Sequence, residues 1–68
     1  MDKQYAERLR AQINNCQCAY TLGTVMLPHV EDLIAIYRRE ANDPTNSHAV
    51  RRNLSAAVEE FQAILWSH

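Results

Sequence analysis

One apolar row runs through most of this chain without losing step. Leu9, Ile13, Cys16, Tyr20, Gly23, Leu27, Val30, Ile34, Tyr37 and Ala41 follow one another at alternating intervals of four and three. That recurrence marks one face of an α-helix and, kept in phase for about five heptads, a coiled-coil seam. Tyr5 extends the row upstream, and Glu7, Arg8, Arg10, Asn14 and Gln17 fill the solvated positions between. The first helix is therefore expected over about 3–22.

Gly23 and Pro28 interrupt the helical chemistry but not the register. Glycine favours a helix end, and proline removes a backbone donor and clashes with the preceding turn. A break or kink between Gly23 and Pro28 is expected. Either residues 3–41 form one long helix kinked near Pro28, or two helices meet at Gly23 with Thr24 as N-cap and Pro28 in the first turn. Glu31 and Asp32 early and Arg38 and Arg39 late suit the dipole of a separate helix over 25–41.

Asn42-Asp43-Pro44-Thr45-Asn46-Ser47 is rich in turn formers and permits an antiparallel reversal, with Asp43-Pro44 or Ser47 available to start the next helix. Beyond it Val50, Leu54, Ala57, Phe61 and Ile64 repeat the four-three pattern, widened by Val58 and Leu65, and predict a helix over about 47–67. The expected fold is all-α: a small antiparallel helical hairpin or three-helix bundle, one domain spanning 1–68.

The middle segment carries a second apolar row, Leu22, Met26, His29, Leu33 and Ile36, about 100° round from the first. One neighbouring helix shelters one stripe. The middle helix is thus expected to need two neighbours, the outer helices one each. In a closed bundle the double stripe is simply core. In a long kinked helix part of it must find another chain, because each large apolar side chain left in water forgoes about 1.5–3 kcal/mol. Leu22, Met26, Leu33, Ile36 and Trp66 are the candidate partner-binding residues. Trp66 falls off the seam of the last helix, where it either lids the end of the bundle, the reading we favour, or anchors an interface.

Composition narrows the function classes. A chain of 68 residues buries only about 60% of its unfolded surface, so its core is thin. Net charge is −1, from seven Lys or Arg against eight Asp or Glu, and the basic residues are scattered. A nucleic acid or acidic membrane held by field alone is argued against. No signal-peptide pattern opens the sequence, and no apolar run approaches the ~20 residues of a membrane span. The two cysteines, Cys16 and Cys18, would point about 200° apart on a helix, so no internal disulfide is expected; reduced thiols and the lack of a signal favour a cytoplasmic protein.

No cofactor or metal is expected, since Cys16, Cys18, His29, His48 and His68 lack zinc-ligand spacing. The single glycine excludes phosphate-binding fingerprints, and Glu59 and Glu60 diverge on a helix rather than pairing as acid and base. An enzyme is the least favoured class. The alternative is a helix-turn-helix DNA-binding regulator using Asn46, Ser47, Arg51 and Arg52, with Thr45 beside them. Against it stand a long turn, net negative charge and Glu40 and Asp43 near the contact surface. The favoured reading is a non-enzymatic protein-interaction module of the scale found in bacteria and phages. It would be an adaptor, inhibitor, small chaperone or antirepressor-like protein that buries an apolar helix face against another chain or homodimerises through it.

Overall fold

The computed structural model describes residues 2–68 as three helices, with no strand among the described residues. Met1, part of the expected domain, lies outside them. Helix α1 is Asp2–Asn14. Helix α2 runs continuously from 19 to 41 as an α-turn Ala19–Thr21, a π-helical stretch Leu22–Met26 and an α-helical stretch Leu27–Ala41. Helix α3 is His48–Trp66.

The all-α architecture agrees with expectation; the end of the first helix and the start of the second do not. Helical structure stops at Asn14, eight residues before the expected end at Leu22 (22 − 14), and residues 15–18 leave the helix. The exit is tightened by a bond from Cys16 N–H to Ile13 O at 3.1 Å. Asn14 and Asn15 are poor helix formers that suit such an end. Cys18 then adopts an extended conformation and caps α2, its sulfur accepting from Thr21 N–H. Cys16 and Cys18 therefore do not lie on a helix, and the 200° argument does not apply to them. Both thiols are free.

The irregularity expected between Gly23 and Pro28 takes the form of the π-helical stretch. Leu27 N–H donates to Leu22 O, five residues back. Pro28 has no N–H for the carbonyl of Thr24, so the widened turn precedes the ring and the helix continues. Thr24 is not an N-cap; its hydroxyl donates to Tyr20 O at 2.6 Å inside the same helix. A π turn advances less angle per residue than an α turn, so it shifts the phase of everything downstream. Tyr20 and Val30 share the sequence row, yet Tyr20 is 78% exposed and Val30 is buried.

Gly23 has no positive φ, and a Cβ there would meet nothing within 4 Å. Gly23→Ala is expected to raise stability by about 0.5–1 kcal/mol, because only the entropy cost of glycine is removed. A urea titration followed by circular dichroism checks this, and a destabilised variant would contradict the geometry.

The last helix, not the middle one, lies between two neighbours. Helix α3 packs along both α1 and the Leu27–Ala41 stretch of α2. Its Leu54, Ala57, Val58, Phe61 and Ile64 are buried, against Ala6, Leu9 and Ile13 from α1 and Val30 and Ile34 from α2. The expected asymmetry is thus corrected: Val58 and Leu65, which widen the stripe of α3, mark the helix that takes two partners. Phe61 joins the flanks, meeting Tyr5 edge-on at 6.3 Å and Tyr37 edge-on at 5.3 Å between ring centres.

Side-chain contacts give the helix directions. Arg10 pairs with Glu60 at 3.5 Å, and Asn14 Oδ1 lies 3.3 Å from His68 Nε2, so α1 runs parallel to α3. Arg51 Nε donates to Ala41 O at 2.8 Å while Tyr37 meets Phe61, so α2 runs antiparallel to α3. The ends of α1 and α3 and the start of α2 consequently gather at one end of a body measuring 40 × 18 × 15 Å.

Candidate protein-binding face

The candidate partner residues divide. Leu22, Met26 and Leu33 are half-buried and pack against the core cluster. Ile36 is 44% exposed, nearer the opposite end of α2. His29 is exposed beside Pro28. Trp66 is 82% exposed, so it does not lid the bundle. No buried side-chain nitrogen or oxygen lacks a partner among the described residues, which leaves no strained polar group to mark a site.

Two further residues are exposed here: Tyr20, which the apolar row places inside, and Val25, which belongs to neither row and is 59% exposed. On an unbroken α-helix they would lie about 140° apart. The π stretch between them reduces that angle, and an α-period reading cannot anticipate it. Such bulges are frequent at functional sites.

A different signal in the sequence does mark the region. Positions 11–30 and 61–68 contain no Asp, Glu, Lys or Arg, so every such residue falls within 2–10 or 31–60. Those two uncharged segments are the end of α1, the start of α2 and the end of α3, which the fold gathers together. One end of the molecule is therefore uncharged and displays Tyr20, Val25 and Trp66, with Leu22 and Met26 partly exposed beneath.

At this end Cys18 is exposed and Cys16 half-buried. Hydrogen bonds from the Thr21 hydroxyl and then the Thr21 N–H hold the Cys18 thiol below the usual cysteine range. The Cys16 thiol donates to Cys18 O at 3.6 Å. Among the described residues no group of three or more His, Cys, Asp or Glu is placed to hold a metal ion.

The residues of the DNA-binding alternative are drawn into the turn. Asn46 Nδ2 donates to Glu40 O at 2.8 Å, and Arg51 is occupied by Ala41 O. Ser47 caps α3, its hydroxyl oxygen accepting from Val50 N–H at 3.2 Å. Arg52 is exposed. Asp43 accepts from the Thr45 hydroxyl at 2.7 Å and the Thr45 N–H at 2.9 Å, bonds that hold its carboxyl below the usual carboxylate range. An open groove lined by Ala41, Asn42, His48, Arg51, Arg52 and Ser55 lies over this turn, away from the uncharged end.

No family model matches the chain, and no curated protein or solved structure matches it. No helix among the described residues is long and apolar enough to cross a membrane.

Proposed function

We propose that this protein is a non-enzymatic interaction module that binds another protein chain through the apolar, uncharged end of its helical bundle. The supporting observation is the exposure of Trp66, Tyr20 and Val25 at an end that holds no charged side chain. Large exposed apolar groups gathered in one region mark interaction sites, whereas scattered single ones do not. Trp and Tyr also dominate interface energetics. Of the five residues read from the sequence, Trp66, Leu22 and Met26 belong to this face, with Leu33 and Ile36 further along α2.

Binding here means burial of apolar surface, with no covalent step. Two free thiols suit a reducing, cytoplasmic setting. The DNA-binding alternative gains no support, because Asn46, Ser47 and Arg51 are engaged in holding the turn.

Photo-crosslinking in the native cell tests the reading. A benzophenone side chain at position 25 or 66 is expected to trap a second protein chain, while the same group at exposed Arg8 on α1 traps none. Absence of any crosslinked chain from both 25 and 66 would refute it.

A further inference from the structure

We propose that Cys16 and Cys18 form a peroxide-reactive dithiol: hydrogen peroxide oxidises Cys18, and Cys16 then closes on it to make a disulfide across Gln17. The inference is independent of what the uncharged end binds. Residues 16–18 carry no helical structure, and the Cys18 backbone is extended. Side chains two apart diverge on a helix but share a side on extended backbone. Two residues of chain span at most about 7 Å between Cα atoms, at the upper edge of the roughly 4.4–6.8 Å that a disulfide bridges. The Cys16 thiol already reaches along the connector, donating to Cys18 O at 3.6 Å. A small bend of the connector brings the sulfurs together.

The two thiols differ as this chemistry requires. Cys18 is exposed, and its sulfur accepts from the Thr21 hydroxyl at 3.3 Å and the Thr21 N–H at 3.5 Å. Those donors favour the thiolate, which is the reactive form, and hold the thiol below the usual cysteine range. Cys16 is half-buried and less open to the oxidant. In the first step the Cys18 thiolate attacks one peroxide oxygen; an S–O bond forms, the O–O bond breaks and hydroxide leaves. In the second the Cys16 thiolate attacks the Cys18 sulfur; an S–S bond forms, the S–O bond breaks and hydroxide leaves again. The two thiol protons turn both hydroxides into water, and two electrons pass from the sulfurs to peroxide. The new bond takes the Cys18 thiolate away from Thr21, so oxidation acts on the first turn of α2, which carries Tyr20.

Treating the pure, reduced protein with a small molar excess of hydrogen peroxide tests it. Intact mass and thiol titration of the wild type are expected to show a single chain that has lost both thiols and the mass of two hydrogens, restored by dithiothreitol. Cys16→Ser should stop at a sulfenic acid on Cys18, trapped by dimedone. Cys18→Ser should consume peroxide at least about tenfold more slowly than Cys16→Ser. Circular dichroism confirms that both variants remain helical, and the wild-type result needs neither. Thiols that survive the peroxide overturn the proposal, as does a product that keeps Cys16 as a free thiol or a disulfide that joins two chains. Equal peroxide reactivity of the two variants overturns the role given to Cys18. In the oxidised wild type the Thr21 amide should exchange its hydrogen faster, and an unchanged rate would refute the effect on α2.

Discussion

Phe61→Ala is expected to remove about 3–5 kcal/mol of stability, the largest loss of any single truncation in this chain. Phe61 is fully buried in the helix that contacts both others, and its ring stands in T-shaped contact with Tyr5 and Tyr37. Each aromatic pair adds roughly 0.5–1.5 kcal/mol beyond the area buried. The whole chain, at the usual 0.05–0.15 kcal/mol per residue, holds only about 3–10 kcal/mol. One substitution therefore takes from about a third of the stability to all of it, and at the lower limit the variant is unfolded in buffer. Urea denaturation followed by far-ultraviolet circular dichroism measures the loss. A change below about 1 kcal/mol, the size of an ordinary mutation, would mean that α3 is not the shared core.

Ile13→Ala is expected to cost about 2–5 kcal/mol, whereas Tyr20→Ala is expected to stay within about 0.5 kcal/mol of wild type. The two residues occupy the same heptad row, so a single seam would make them comparable. In the folded chain Ile13 is completely buried and Tyr20 is 78% exposed. The helix ends between them, at Asn14, and resumes at Ala19 on a different axis. Thermal or urea melts of the two variants, measured as monomers at low concentration, separate the alternatives. Equal losses would restore the continuous seam and contradict the break at 15–18.

The candidate site was partly legible for related reasons. Leu22 and Met26 stand out in sequence as surplus apolar residues, and Trp66 as a side chain off its seam; all three reach the uncharged end. Steps of four and three continue through Tyr20 and by themselves place it in the interior. Two backbone events defeat that count: residues 15–18 leave the helix, and the π stretch rotates the chain past Leu22. The run without charge from 11 to 30 is a plainer marker, independent of helical phase.

The sequence by itself determined the local structure: helices rather than strands, the reversal at 42–47, a serine able to cap α3, and most of the side chains that form the core. These follow from periodicity and from capping chemistry, which act over a few neighbouring residues. Only the tertiary structure decided that α3 is the central helix and that the bundle gathers its uncharged segments at one end. A stripe's width shows how much surface must be covered, but which helix covers it depends on where the intervening chain turns. Here that was settled by a four-residue connection at 15–18 and one widened helical turn.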